Sequence, residues 1–389
     1  MNIVNWCYFP ARLAWRQLVF DRTKLVAAIF GVMFACVLVF MQLGFRDSLY
    51  DSAISAPLKL TGDLFLMHKQ TEAMWRPAKF PRRELMRALG HPAVVDVIPV
   101  YLGLASFKNI ETRVKRTLMV YGFDPDSQIF DIAGIRNYRD GLRIKDTVLF
   151  DEYSRPEFGP MRQLLEAGRS STEVNDYKVD VIGLFHLGVS FAADGNIVTS
   201  DLNFMRIFPN RNHNAIDLGV IKLDSGSSIQ QVQRELRYQL NEFVDVFTYE
   251  ELLKHEKDYW ADMAPIGFIF GFGTIMGLIV GLVIVYQILF TDIANLRYEF
   301  ATLKAMGYEH GYFIRVVFAS AFFLAVLGFF PGLMLSTGLY YLAESQIFMP
   351  MPMTFSKLGT VFVFILSMCV MAGVLAIRKL KAADPADMF

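Results

Sequence analysis

The sequence has few cysteines and no excess of charge of either sign. Its 389 residues include only Cys7, Cys36 and Cys369, too few for a disulfide scaffold or a cysteine-rich metal site. The 38 Lys and Arg residues balance 38 Asp and Glu residues, so the formal net charge is zero. Proteins that bind nucleic acids gain affinity by neutralising phosphates, and this chain lacks the basic excess that they need.

Motifs for nucleotide, metal or nucleophile chemistry are also missing. No string has the form G-x-x-x-x-G-K-[ST], the glycine-rich loop that binds the phosphates of ATP. The six histidines never occur as H-x-x-x-H or H-E-x-x-H, the helical spacings of a zinc site. Residues 188–192, GVSFA, match a nucleophile elbow only in part, because Ala192 replaces the last glycine. The sequence therefore predicts no catalytic residue, no metal site and no cofactor in this chain.

Four long apolar runs account for much of the composition. Hydrophobic residues make up 54% of the chain and its mean hydropathy is +0.34, yet 20% of its residues are charged, so membrane and water-exposed parts are combined. Residues 25–45 contain no charge and would form about 31 Å of helix, enough to span a bilayer. Similar runs occupy residues 264–290, 316–343 and 358–377. We call these four runs the first to fourth spans. A cleaved signal peptide is the alternative for the first span, but its apolar part is too long.

Lys and Arg residues are concentrated on one side of the predicted membrane. They precede the first span, lie between the second and third spans and follow the fourth, whereas residues 344–357 hold a single Lys. Because cytoplasmic segments carry the excess of Lys and Arg, both termini are predicted to be cytoplasmic. The predicted segments are a cytoplasmic amphipathic helix (1–24), the first span (25–45), an outer domain (46–263), the second span (264–290), a cytoplasmic helix (291–315), the third span (316–343), an outer loop (344–357), the fourth span (358–377) and a cytoplasmic tail (378–389).

Residues 46–263 have the pattern of a mixed α/β domain that is large enough for its own core and is predicted to form two lobes. The turn at Asp194 and Gly195 predicts a hairpin between residues 190–192 and 197–199. Other strands are predicted at 64–67, 94–100, 117–123 and 179–187, and helices at 82–89, 228–243 and 252–260.

Two short helices are predicted beside the membrane. Residues 1–24 place Trp15 and Leu18 on one face and Arg12 and Arg16 on another, a pattern typical of an interfacial helix. Residues 291–312 predict a second amphipathic helix, which is either a plain connection between spans or a helix that docks into a groove of a cytoplasmic partner. Its apolar positions are Ile293, Leu296, Phe300 and Leu303, and Gly307 predicts its end.

Glycines recur at four-residue spacing in the second span. Gly273, Gly277 and Gly281 leave one stripe of the helix without side chains, which lets another helix approach closely. The partner helix is either the first span of the same chain or a second copy of the chain. A homodimer seam is the favoured interpretation.

The order of one span, a large outer domain and three further spans resembles the FtsX and MacB type of ABC permease over the whole chain. Residues 299–307, EFATLKAMG, are similar to the coupling-helix string of that superfamily, and residues 378–388, RKLKAADPADM, are similar to its basic tail. Residues 149–159, LFDEYSRPEFG, and residues 181–204 are most similar to the DevC branch, whose members are permeases of cyanobacterial exporters.

The resemblance implies a non-catalytic, homodimeric permease subunit with a periplasmic outer domain, in the inner membrane of a Gram-negative-type bacterium such as a cyanobacterium. Its expected partners are a DevA-like ABC ATPase that binds ATP and Mg, a DevB-like membrane fusion protein and a TolC-like outer-membrane channel. The DevC branch is associated with glycolipid export. An FtsX-like regulator of an extracellular hydrolase and a LolC-like lipoprotein extractor are the alternatives. The residues expected to couple the chain to the ATPase are Glu299, Phe300, Leu303, Lys304 and Gly307.

Overall fold

The computed structural model describes residues 3–240, 242–263, 265–295 and 310–382. They fall in two compact units. The membrane unit comprises the described parts of residues 1–47, 267–347 and 351–389, and the outer unit comprises those of 48–266 and 348–350.

Four helices are long and apolar enough to cross a membrane. The prediction of a multi-pass membrane protein with four transmembrane helices is therefore confirmed. In chain order the described helices are α1 (Ile3–Phe20), α2 (Arg22–Ala53), α3 (Arg82–Ala88), α4 (Ala133–Asn137), α5 (Arg139–Leu142), α6 (Met161–Glu166), α7 (Asp201–Ile207), α8 (Ile229–Gln239), α9 (Tyr249–Asp258), α10 (Pro265–Asn295), α11 (His310–Ile347) and α12 (Phe355–Ala382), with the candidate spans in α2, α10, α11 and α12.

The outer unit is built on one nine-stranded mixed sheet. Its order is β11-β1-β10-β3-β4-β8-β5-β7-β6, in which β4 with β8 and β5 with β7 are parallel and the other neighbours are antiparallel. A separate pair joins β2 and β9. The strands are β1 (Leu64–His68), β2 (Phe80–Pro81), β3 (Val94–Lys108), β4 (Lys115–Phe123), β5 (Thr147–Asp151), β6 (Ser171–Val174), β7 (Tyr177–Phe185), β8 (Asn196–Ser200), β9 (Ala215–Ile216), β10 (Leu218–Leu223) and β11 (Val244–Thr248).

Both faces of this sheet are buried. On β1, Leu64 and Leu66 enter one hydrophobic cluster, whereas Phe65 enters another, because successive side chains of a strand point to opposite faces. Leu236 of α8 belongs to the first cluster and Leu252 of α9 to the second. The prediction of four transmembrane helices with a mixed α/β outer domain is confirmed.

One detail of the predicted outer domain is wrong, because the hairpin across Asp194 and Gly195 does not form. Strand β8 pairs with β4 and β5, and residues 190–192 lie in a loop. The sheet of the domain is continuous, since the 15-residue strand β3 pairs with β10 along one part and with β4 along the next. The division of the domain into two lobes stays a prediction.

Two membrane helices extend beyond their apolar runs. Helix α2 continues from the first span to Ala53, and its residues from Ser48 onward belong to the outer unit. Helix α11 continues to Ile347, so residues 344–347 of the predicted outer loop are helical. The loop that remains, 348–354, is shorter than the sequence predicts.

Candidate functional site

The predicted contact with the ATPase falls outside the described residues. Glu299, Phe300, Leu303, Lys304 and Gly307 all lie between residues 296 and 309. Their role in coupling therefore stays a prediction from the sequence.

The glycines of the second span lie against helices of the same chain. A Cβ atom added to Gly281 would lie 2.5 Å from both Ala35 Cβ of α2 and Met368 Sδ of α12. A Cβ atom on Gly277 would lie 3.2 Å from Leu38 Cβ, and one on Gly273 would meet the amide of Gln42. Within one copy, this stripe of α10 is already covered by α2. A homodimer seam would have to use another surface.

Helix α11 approaches α2 through glycines in the same way. A Cβ atom on Gly328 would collide with Val32, and one on Gly332 would lie 2.8 Å from Cys36 Cβ. Val32 and Cys36 are fully buried. Small side chains on α2 and glycines on α10 and α11 thus permit close packing of three apolar helices, which gain van der Waals contact in this way.

A buried cation links two helices at one end of the membrane unit. Lys357, in the first turn of α12, is only 8% exposed, and its Nζ lies 3.3 Å from Asp47 Oδ2 of α2. The same ammonium group donates a hydrogen bond to the Pro352 carbonyl at 3.1 Å. Lys357 is the single Lys that the sequence places in the predicted outer loop, and it links α2 to α12.

In the outer unit, an aromatic cluster surrounds the end of α9. We call Trp75, Phe191, Tyr259 and Trp260 the stalk cluster. Trp260 lies in a π-helical segment, Tyr259–Met263, and its ring centroid is 6.3 Å from that of Trp75 and 5.5 Å from that of Phe191. The geometry between Phe191 and Trp260 is edge-to-face, which favours aromatic pairs.

Phe191 reaches this cluster because Asp151 holds its loop, residues 186–195. Asp151 ends strand β5 and is fully buried. Its carboxylate accepts hydrogen bonds from the backbone N–H groups of Leu187 and Gly188 at 2.9 and 2.8 Å, and from Asn196 Nδ2 at 2.8 Å. Burial raises the pKa of Asp151, although these hydrogen bonds favour its charged form and oppose part of that shift. The loop is thereby attached to β5 and β8.

Glu256 of α9 lies against the same cluster. It is 2% exposed, and its Oε1 accepts a hydrogen bond from the Met74 backbone N–H at 2.7 Å. Burial raises the pKa of this carboxyl to about 8, so it is largely protonated at neutral pH. Glu256, Trp75 and Trp260 line a cavity of about 40 Å³, enough for one or two water molecules. The indole N–H of Trp75 is buried and has no hydrogen-bond partner in the described part of the chain.

A known family matches the membrane helices. The family model of the FtsX-like permease C-terminal domain matches residues 271–385, which include most of α10 and all the described residues of α11 and α12. The chain carries an FtsX-like permease domain. The predicted resemblance to the FtsX and MacB type of permease is confirmed for this domain, residues 271–385, and the DevC branch remains a prediction. No curated protein matches the chain.

Solved structures similar to this chain cover about half of it. The extracellular domain of the noncanonic ABC-type transporter YknZ from Gram-positive bacteria is 14% identical, covers 48% of this chain and 99% of its own, and has a TM-score of 0.32. The periplasmic region of MacB from Actinobacillus actinomycetemcomitans is 10% identical, covers 52% and 94%, and has a TM-score of 0.34. Both TM-scores are too low to establish a common fold, and the family match concerns residues 271–385.

The pKa of Glu256 predicts a pH-dependent stability of the permease. An acid whose pKa is raised by folding stabilises the folded state below its ordinary pKa, near 4.5, and this contribution is lost as pH rises to about 8. The loss is at most about 1.4 kcal/mol per pH unit in that window. We expect the melting temperature of the full chain in detergent, followed by tryptophan fluorescence, to fall between pH 6 and 8.

Glu256→Gln should flatten this pH dependence, because the amide stays neutral and can still accept the hydrogen bond from Met74. Glu250→Gln is the matched control, since Glu250 is exposed in the first turn of the same helix. Parallel pH profiles of the wild type and Glu256→Gln would show that Glu256 does not retain its proton.

The sequence pattern did not single out Glu256 or Trp75 as functional residues. Residues 249–258, YEELLKHEKD, contain six charged residues and one histidine, which is typical of a solvated helix. Only the position of Trp260, just before the second span, could have indicated that this helix ends in a packed junction.

Proposed function

We propose that this FtsX-like permease is the membrane subunit of an ABC-type export complex. A separate ATPase subunit hydrolyses ATP, and the permease transmits the resulting motion to its periplasmic outer unit. That unit then drives substrate into a channel built by a membrane fusion protein and a TolC-type protein. The observation that carries the proposal is an FtsX-like permease domain in a chain whose membrane helices are apolar and whose large outer unit lies between the first and second spans.

The chemistry of the spans supports force transmission rather than transport through the membrane unit. Asp, Glu, Lys and Arg are absent from all four apolar runs. An ion-driven carrier would need such groups near the bilayer centre as relay or coupling sites. The interfaces of α2 with α10 and α11 are closed by glycine, alanine and valine instead. Such packing transmits movement between helices but offers a polar substrate no path.

Contacts within the outer unit provide a route from α9 to the sheet. The end of α9 contacts Phe191 through Trp260, and Asp151 attaches the loop of Phe191 to β5 and β8. A displacement of Trp260 would therefore act on the centre of the outer unit.

The energy would enter through residues 296–309. ABC permeases work with an ATPase, and this chain has no phosphate-binding loop, so ATP and Mg would bind to the partner. In this proposal Phe300 and Leu303 fill a groove of the ATPase, with Glu299 and Lys304 at the rim.

Two permease copies would assemble with two ATPase copies. The exposed apolar residues Ile275, Ile279 and Val283 on α10 offer a surface for either a second copy or lipid.

The orientation of the chain can be tested by thiol labelling. In a variant in which Cys7, Cys36 and Cys369 are replaced, a cysteine at Ser127 should react with a membrane-impermeant thiol reagent added from the periplasmic side. A cysteine at Ala383 should react only after the membrane is permeabilised. The reverse pattern would place the outer unit in the cytoplasm and contradict the proposal.

Co-purification discriminates the export complex from its alternatives. The permease, extracted in mild detergent from its own cells after cross-linking, should bring down an ABC ATPase and a membrane fusion protein. Recovery of an extracellular hydrolase without a fusion protein would support an FtsX-like regulator. Recovery of lipoproteins without a fusion protein would support a LolC-like extractor. Glycolipid as the exported substrate is tested separately, by its accumulation in cells that lack the permease.

A further inference from the structure

The membrane unit contains a cavity of about 450 Å³ that the proposed export mechanism does not use. It lies between α1, the start of α2, the end of α10 and the start of α11. Its volume is within the range of small-molecule sites in proteins. Apolar side chains, among them Phe20, Leu289 and Val316, form much of its wall.

Four charged side chains line the polar part of this cavity, two of each sign. Lys24 and Asp21 form an ion pair with each other, with Nζ and Oδ2 3.0 Å apart. The remaining two are Arg16 and the half-buried Asp292. Neither forms a hydrogen bond or ion pair with any residue in the described ranges. The cavity thus offers, beside an apolar wall, one cation and one anion that lack a hydrogen-bonded partner in the described ranges, although Asp292 also lies within electrostatic range of Lys24 and Asp21.

The position of α1 places this cavity at the surface of the bilayer. Helix α1 is amphipathic, and Trp15 packs edge-to-face on Phe323 of α11 with ring centroids 5.4 Å apart. Trp15 is 42% exposed and Phe20 is 92% exposed, although both are aromatic. Aromatic side chains exposed next to Arg12, Arg16 and Arg22 are typical of a helix at the boundary between lipid and headgroups.

From this arrangement we infer that the cavity binds the headgroup of a zwitterionic phospholipid with a primary ammonium, such as phosphatidylethanolamine. Arg16 binds the phosphate, because a guanidinium group donates paired hydrogen bonds to phosphate oxygens. Asp292 accepts hydrogen bonds from the ammonium group. The acyl chains lie along the apolar wall that includes Phe20 and Leu289.

The pairing of charges selects among lipids. Phosphatidylglycerol has a phosphate but no cation, so it would leave Asp292 unpaired beside a further negative charge. Phosphatidylcholine carries three methyl groups on its nitrogen and cannot donate a hydrogen bond to a carboxylate. Desolvating Asp292 without such a donor is costly, since buried charges need partners.

Native mass spectrometry of the full chain, delipidated in detergent and titrated with each lipid, tests this site. Phosphatidylethanolamine should bind at least about tenfold more tightly than phosphatidylglycerol or phosphatidylcholine. Asp292→Asn and Arg16→Gln should each remove this preference, and Arg12→Gln should keep it, because Arg12 lies on the same helix but does not line the cavity. Circular dichroism checks that each variant is folded. Asp292→Glu keeps a carboxylate at this position and should therefore retain part of the preference that Asp292→Asn loses.

Two results would overturn the inference. One is equal binding of the three lipids to the wild type, or an unchanged preference in folded Asp292→Asn. The other is competition by soluble glycerophosphoethanolamine at the same concentration as the lipid, which would show that the site takes a free phosphate metabolite rather than a membrane lipid.

Discussion

Replacing both Phe300 and Leu303 with Asp should prevent the permease from assembling with its ATPase. If these two side chains fill a groove, the substitutions bury two unpaired carboxylates at the contact, at a cost of several kcal/mol. Because each 1.4 kcal/mol is a tenfold change, association should weaken about 100-fold or more. The measurements are co-purification of the ATPase in detergent and stimulation of ATP hydrolysis in membranes.

Lys304→Ala is the matched control in the same segment. A rim charge is screened by water and contributes about 0 to 1 kcal/mol, so this variant should still bind the ATPase. Thiol labelling at Ser127 checks that the double variant is inserted normally. If the double variant is inserted, binds its ATPase and is stimulated like the wild type, the segment is only a connection between spans and the coupling assignment is wrong.

Gly281→Leu should strongly destabilise the membrane unit. The first added carbon would lie 2.5 Å from Ala35 Cβ and from Met368 Sδ, which is closer than van der Waals contact allows, so α2 or α12 would have to move. Overpacking a buried contact costs about 1–3 kcal/mol and more where backbones are close. We expect a lower melting temperature and a smaller yield of monodisperse protein in detergent.

Gly271→Leu tests whether this effect depends on packing. Gly271 lies on the same helix, but a Cβ atom there has no neighbour within 4 Å. Its replacement should leave the melting temperature nearly unchanged. Equal destabilisation by both substitutions would show that glycine is needed in α10 for a reason other than its contact with α2. A loss of dimer without loss of stability in Gly281→Leu would instead place a homodimer seam on this stripe.

The spans and five of the eleven described strands could be predicted because their signals are local. A charge-free run of about 20 residues has few stable alternatives to a membrane helix. The short apolar run at residues 64–67, LFLM, is typical of a strand that is buried on both faces. The hairpin at Asp194 and Gly195 failed because a turn sequence fixes only local geometry. The Asp151 carboxylate, 45 positions before Asn196, binds the loop and leaves β8 to pair with β4 and β5.

The candidate sites could likewise be predicted only where their signal is local in the sequence. The glycine stripe could be predicted from its spacing, but its partner could not, because the approach of α2 depends on the packing of the whole unit. The raised pKa of Glu256 arises from burial beside residues that are distant in the sequence, such as Trp75. The cavity at Arg16 and Asp292 lies between four helices. No sequence window contains either arrangement.

Hydrogen exchange in the outer unit tests the central claim most directly. The permease, reconstituted with its ATPase in lipid nanodiscs, is measured with and without ATP, and the peptides of interest cover the loop 186–195 and the end of α9. Force transmission predicts that ATP changes exchange severalfold in both segments, and that the Phe300, Leu303 double variant shows no change. Identical exchange in the outer unit with and without ATP, while the ATPase turns over, would contradict the account.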